Sequence, residues 1–298
     1  MRIASNKIAD IVRFFRDELK DLYDKDELET FIEYCFEEFL NIKRNDIFLK
    51  SADTVSESEL LKFNFAIKDL KKNKPIQYIL GKADFYGLKF IVNENVLIPR
   101  QETEELVQLI INDFNLNNGS PLLRSGGEAI LDVGTGSGCI PVVLKKKIPA
   151  ATIYAIDISE KALELAQQNA IANGVDIEFI QHDILSEKQF VLSPEIKFDI
   201  IVSNPPYIRE IEKVQMHKNV LDYEPHLALF VSDTNPILFY NAIADFAIKQ
   251  LNPNGKIYFE INENFGFEIK LMLENKGFQN VQIVKDINNK NRILRGNL

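Results

Sequence analysis

The chain predicts an α/β fold: a mainly parallel, doubly wound sheet preceded by a small all-helical domain, with a β-hairpin between them. Three observations carry this. Up to about residue 73 the apolar residues recur only at helical spacing. From Ala129 onward, short Ile- and Val-rich runs alternate with helical patterns, the signature of βαβ units. Between them, Ala83 to Ile98 alternates like paired strands.

Taken in order, Ile3, Ile8, Ile11, Val12, Phe15 and Leu19 mark one helix, and Phe31, Tyr34, Cys35, Phe36 and Phe39 a second. Ser56 and Glu59 form a capping box before Leu60, Leu61, Phe63, Phe65, Ile67 and Leu70. Their mixed charges and core-like aromatics carry no chemistry, so residues 1–73 are expected to be a docking module. A linker, 74–98, starts near Lys71–Pro75. Its hairpin is expected to run through Phe85–Val92, Asn93-Glu94-Asn95 and Val96–Ile98. The catalytic domain is expected over 99–298. Pro99–Thr103 opens a helix through Phe114, and Asn117–Gly127 reads as a loop.

Strands are then expected at Ala129–Val133, Thr152–Ile156, Ile177–Gln181 and Phe198–Val202, with helices at Ile140–Ile148 and from Ser159 to Asn173, stopped by Gly174. A helix over Pro236–Leu251 should end at Asn252-Pro253-Asn254-Gly255. Strands at Lys256–Ile261, Val281–Val284 and Arg292–Leu294 complete the pattern, with a helix over Phe267–Lys276.

Composition limits the function. The 298 residues carry a formal charge of −9, which argues against a nucleic-acid partner; Lys145-Lys146-Lys147 reads as a helix end. Two distant cysteines, Cys35 and Cys139, and three histidines argue against a disulfide framework or a metal site. No leader-like or membrane-spanning stretch is visible, so the expected home is the cytoplasm, with no membrane partner.

The chemistry concentrates at strand ends. Asp132 precedes the loop Gly134-Thr135-Gly136-Ser137-Gly138, whose third glycine follows the second too closely for a dinucleotide fingerprint. A carboxylate there repels a pyrophosphate and attracts an ammonium or sulfonium. Asp157, ending the second strand, suits ribose hydroxyls. Asp183, after the third, suits an adenine amino group, with Ile184 packing on the ring. An adenosine joined to a cationic amino acid meets all of these, which describes S-adenosylmethionine. The fourth strand runs into Asn204-Pro205-Pro206-Tyr207, where two prolines end both ladder and helix and hold an amide at the strand's carboxyl end.

Leu131–Gly138 resembles the first motif of class I S-adenosylmethionine-dependent methyltransferases, a Rossmann-like fold. Asn204–Tyr207 resembles the motif of enzymes that methylate planar nitrogens. With Pro75–Gly81, Leu97–Glu104 and Tyr223-Glu224-Pro225, nearly the whole chain resembles the peptide chain release factor glutamine methyltransferase family (PrmC/HemK). It departs at Gln101, where the family has proline, and at Asn262, where it tends to have glycine and where asparagine tolerates a left-handed backbone better than most residues.

The resemblance implies methyl transfer to the side-chain amide nitrogen (N5) of the glutamine in the Gly-Gly-Gln loop of class 1 release factors. S-adenosylhomocysteine is the product. An amide nitrogen shares its lone pair with its carbonyl and is a poor nucleophile. On this reading the Asn204 side-chain oxygen and the Pro205 carbonyl accept its two N–H bonds, the cofactor site includes Asn204, and Tyr207 packs on the amide plane. The proton leaves afterwards to water. Three other functions fit some of the motifs: a ribosomal-protein glutamine methyltransferase, a nucleic-acid amino methyltransferase, and a non-catalytic cofactor-binding regulator.

Overall fold

The computed structural model describes residues 5–117, 128–186 and 196–298. The expected loop lies outside them apart from Asn117, as does Ile3 of the first expected helix. The chain divides into two compact units, one of residues 1–81 with 217–223, the other of 82–216 with 224–298.

The first unit is built on α1 (Ile8–Leu19), α2 (Lys25–Leu40), α3 (Arg44–Leu49), α4 (Glu57–Leu70) and the short α5 (Ile76–Leu80). The Ser56 hydroxyl accepts from Glu59 N–H and the Glu59 carboxylate from Ser56 N–H, so the expected capping box is formed. Ile8, Ile11, Phe15, Phe36, Phe63 and Leu70 meet in one buried core. Helix α5 falls inside the stretch read as linker: Pro75 sets its first turn, and Gly81 ends it at φ 69°.

The second unit opens with the hairpin β1 (Lys82–Phe85) and β2 (Leu88–Ile91). Its turn is Tyr86-Gly87, not Asn93–Asn95, and Val96–Ile98 forms no strand. Both turn residues take positive φ, 52° and 74°, as a two-residue turn matched to strand twist requires. Next come α6 (Gln101–Asn117), β3 (Ala129–Val133), α7 (Cys139–Lys147), β4 (Thr152–Asp157), α8 (Glu160–Ala172), β5 (Glu178–Gln181) and β6 (Phe198–Ser203). The sequence reading did not place the short pieces that follow. These are β7 (Ile208–Arg209), a tight turn of helix at Glu210–Gln215, α9 (Lys218–Tyr223, in the first unit), α10 (His226–Leu229), and β8 (Phe230–Val231), which pairs with β7. Then follow α11 (Leu238–Gln250), β9 (Leu251–Glu260), α12 (Gly266–Asn275), β10 (Gln279–Lys285) and β11 (Asn291–Asn297).

Seven strands form one sheet in the order β10-β11-β9-β6-β3-β4-β5, with β11 antiparallel to both its neighbours and the rest parallel. The order reverses beside β3, the switch point where such sheets open a crevice at their carboxyl ends. The period-2 alternation covers both faces. Ile130, Val202 and Tyr258 point to α6, α7 and the hairpin, while Leu131, Ile201 and Phe259 point to α11 and α12. Each such side chain contributes about 1.5–3 kcal/mol by leaving water.

Asn252–Gly255 does not simply terminate α11. Strand β9 begins at Leu251, and its register with β6 jumps between Phe198↔Leu251 and Ile200↔Lys256. The displaced residues stay paired: Asn252 Nδ2 donates to Asp199 Oδ1 at 2.8 Å, and Asn254 N–H donates to the Leu298 carbonyl.

Candidate active site

The carboxyl ends of β3, β4, β5 and β6 surround a cavity of about 360 Å³. Its lining includes Gly134, Thr135, Gly136, Ser137, Asp157, Asp183, Ile184, Asn204, Pro205 and Pro206. Three expected site residues are not part of this lining: Asp132, Gly138 and Tyr207.

The glycine loop is held by β4. Gly134 and Thr135 N–H both donate to the Ile156 carbonyl, Gly136 N–H donates to Asp157 Oδ2 at 2.9 Å, and Gly138 N–H closes back on the Thr135 carbonyl. These donors are spent inside the protein, so the loop does not present the row of free N–H groups that a pyrophosphate needs. Gly138, at φ 77°, abuts α8, where an added Cβ would meet Ala166 Cβ at 3.0 Å. From α8, the buried Asn169 side chain bonds to both backbone groups of Ile91 in β2 and to the Ser137 carbonyl, tying hairpin, helix and loop together.

Asp132 is wholly buried in the central strand, and neither carboxylate oxygen has a hydrogen-bond partner; nor has the buried Thr135 hydroxyl. Burial pushes the Asp132 carboxyl up to about 7; the nearby Thr135 hydroxyl eases the shift without reaching hydrogen-bond geometry, and the charge of Asp157 adds to it. Asp157 is raised by burial and drawn back by backbone N–H groups of Ser159 and Gly136. Asp183 Oδ1 accepts from Leu185 N–H at 2.9 Å, which turns the chain at the end of β5. An unpaired buried carboxylate beside a second one is costly unless a cation joins them. The donor set therefore fits a ligand with a positive group at this end and hydroxyls toward Asp157.

At the other end, every polar group of the Asn-Pro-Pro-Tyr turn for which a bond is seen is tied inward. Asn204 Nδ2 donates to Thr103 Oγ1 at 3.2 Å, Thr103 Oγ1 donates to Glu260 Oε2 at 2.7 Å, and Tyr207 Oη donates to Glu260 Oε1 at 2.9 Å. Burial raises the Glu260 carboxyl, while both hydroxyls and the Arg292 charge pull it down. Burial and the Glu260 charge push the Tyr207 phenol well above its ordinary value. Ser203 hydroxyl donates to the Val133 carbonyl at 2.7 Å and joins β6 to β3 just below.

Asn262 does not use its tolerance of a left-handed backbone: its φ is not positive. Its side chain donates to the Tyr207 carbonyl at 3.1 Å and accepts from Asn264 N–H, so it braces the turn by its amide rather than by backbone freedom. Arg100 and Ile98 N–H both donate to the buried Glu224 carboxylate, which joins the Ile-Pro-Arg and Tyr-Glu-Pro segments. Cys139 is buried at the start of α7, its thiol raised to about 12 by burial. Among the described residues no cluster of three or more potential ligands for a metal ion occurs, and no helix is long and apolar enough to cross a membrane.

Sequence reading did not assign roles to Thr103, Glu260, Asn169 or the Arg100–Glu224 pair. The available signal was Glu260 itself, a carboxylate closing the apolar run Ile257-Tyr258-Phe259, which must find partners if buried.

The sheet order, the loop with its preceding aspartate and the Asn-Pro-Pro-Tyr turn define a class I S-adenosylmethionine-dependent methyltransferase. The Methyltransferase small domain family matches residues 113–223 and the PrmC N-terminal domain family residues 10–81. The chain is 48% identical to the release factor glutamine methyltransferase of Flavobacterium psychrophilum, over 95% of this chain and 96% of that one. It is 39% identical to the protein of the same name from Bacteroides thetaiotaomicron, over 96% and 99% of the two chains. It belongs to the release factor glutamine methyltransferase family.

Proposed function

We propose that the protein methylates the N5 amide nitrogen of the glutamine in the Gly-Gly-Gln loop of class 1 release factors. The observation that carries this is the orientation of Asn204. Its amide N–H₂ is occupied by Thr103, which leaves Oδ1 free to accept from a planar N–H₂ brought into the cavity. Pro205 supplies a second acceptor, its backbone carbonyl. Together they fix the acceptor nitrogen and favour lone-pair density on it, an effect of orientation that reaches roughly 7–11 kcal/mol in well-aligned systems.

When bound, S-adenosylmethionine supplies an electrophilic methyl group on a sulfonium. Asp132 would face the cationic amino-acid part, Asp157 the ribose hydroxyls, and Asp183 with Ile184 the adenine. Tyr207 holds its turn by the bond to Glu260 and backs the acceptor site. Residues 1–73 are assigned to docking the protein substrate: none of the described ones, 5–73, lines the cavity, and the family includes this domain. The enzyme works without a nucleic-acid or membrane partner, in the cytoplasm.

The test is direct. With labelled cofactor, purified release factor, ribosomal protein and nucleic acid are offered separately, and the labelled residue is mapped by mass spectrometry. Label on the release-factor glutamine is expected; label on a ribosomal-protein glutamine or on a base would replace this reading, and no turnover on any of them would leave a binding protein.

A further inference from the structure

We infer that Glu260, acting through Thr103, is a positioning residue that sets which way round the Asn204 amide sits. This rests on the function proposed above and deepens it. Hydrogen-bond polarity leaves the amide one way to sit. A carboxylate only accepts, and Glu260 accepts two hydroxyl protons, Thr103 at Oε2 and Tyr207 at Oε1. Thr103 has one proton, and it is spent on Glu260. Toward Asn204 the threonine oxygen can therefore only accept, so the nitrogen of the amide must face it at 3.2 Å. The oxygen is left on the side of the cavity.

Without this chain the two faces of an asparagine amide differ little in size, and the wrong face would offer N–H₂ to N–H₂. The same carboxylate anchors Tyr207, so both ends of the Asn-Pro-Pro-Tyr turn are referred to one buried group. The fold makes that possible cheaply. Ser203 and Phe259 are partners in the parallel ladder between β6 and β9, which puts Asn204 and Glu260 side by side where the strands end. Thr103 reaches them from the first turn of α6 and is itself only 3% exposed. Tyr240 Oη donates to the Glu260 carbonyl at 3.0 Å and fixes the backbone beneath.

The experiment measures single-turnover methyl transfer at saturating cofactor, with cofactor affinity and the melting temperature of each variant as controls. Thr103→Val removes the link and should slow transfer by roughly 10²-fold, the scale of a small misplacement of a reacting group. Cofactor affinity should stay within a few-fold, and Thr103→Ser should recover most of the rate.

The decisive pair is Asn204→Asp alone and with Glu260→Gln. In the single variant two carboxylates compete for one threonine proton, and transfer should be far slower than in wild type. In the double variant the amide introduced at position 260 can donate to Thr103, whose proton then turns to the carboxylate introduced at position 204, so the chain runs in reverse. The double variant should be at least ~10-fold faster than Asn204→Asp, within the coupling expected of touching residues, although Glu260→Gln alone slows the wild type. A purely structural Glu260 would make the double variant the slower one. A double variant no faster than Asn204→Asp, or an Asn204→Asp enzyme as fast as wild type, overturns the inference. Should Thr103→Val fail to fold, this pair still decides. If the wild type labels something other than glutamine, the functional reading fails, while the rate ratios remain readable on the acceptor found.

Discussion

The two ends of the cavity handle buried polarity in opposite ways. At the glycine loop, Asp132 and Thr135 keep three buried oxygen atoms without partners. Some 70 residues on, the Asn-Pro-Pro-Tyr end joins Asn204, Thr103, Glu260 and Tyr207 into one connected set. The first end is thus built to take up a charge from outside, whereas the second is held together before anything arrives. Binding free energy should depend on the loop end, and rate on the turn end.

The largest expected effect comes from Asn204→Ala. Methyl transfer should fall by roughly 10²–10³-fold, as when a single preorganised contact to the reacting group is lost, with cofactor affinity unchanged within a few-fold. Single-turnover rates and calorimetry check both halves; a fully active variant would abolish the contrast between the ends.

Asp132→Asn should do the reverse to binding and add a stability signature. Cofactor affinity should fall roughly 10²-fold, the scale for losing one partner of a buried charge pair. The sign for stability follows from the raised carboxyl. Between its ordinary value of 3.8 and about 7 the folded chain holds a proton that the unfolded chain has lost. Wild-type stability therefore falls as pH rises through that window, by on the order of 4 kcal/mol at most, and is level above it. The variant should lack this decline and melt higher than wild type at pH 8. Cofactor affinity of the wild type should weaken as pH drops below about 7, and that of the variant should not; titration calorimetry at pH 6 and 8 separates the two.

Asp157→Ala should weaken cofactor binding by about 1–3 kcal/mol, the cost of leaving partners unpaired. Part of that loss passes through Gly136 and Ser159, whose N–H groups Asp157 holds at 2.9 Å. Asp157→Asn, which keeps an acceptor oxygen, should lose less; equal losses would mean that charge dominates at this position.

Gly138→Ala, at the last residue of the glycine loop but outside the cavity lining, should show in stability rather than in rate. It adds a Cβ at 3.0 Å from Ala166 in a left-handed backbone, so the melting temperature should fall, corresponding to about 1–3 kcal/mol. Co-substitution of Ala166 by Gly should return the steric part of that loss but not the backbone part.

Most of the sheet was legible because its signal is periodic. Ile130 against Leu131 and Ile201 against Val202 face opposite cores, and continuous apolar runs with terminal aspartates mark strands buried on both faces. The cofactor end was legible for the same reason: Asp132, Asp157 and Asp183 interrupt those runs at fixed places. Polarity joined across long sequence distances was not. Thr103 and Glu260 lie 157 residues apart, and nothing local to either shows that they meet. The hairpin turn was misplaced because Tyr86 hides a left-handed position that Asn93-Glu94-Asn95 seemed better suited to fill. Residues 217–223 cluster with the first unit, a partition no composition shift announces.

The bracing of the hairpin by Asn169 gives the glycine loop a clock. The Ile91 amide proton sits at the end of a two-stranded ribbon, a place that ordinarily exchanges with solvent fast, yet it is held by Asn169 Oδ1 at 2.6 Å. The same side chain holds the Ser137 carbonyl at 2.9 Å. Deuterium uptake at Ile91 should therefore report openings of a segment 46 residues away in sequence, and a ligand seated on the loop should slow it without touching the hairpin.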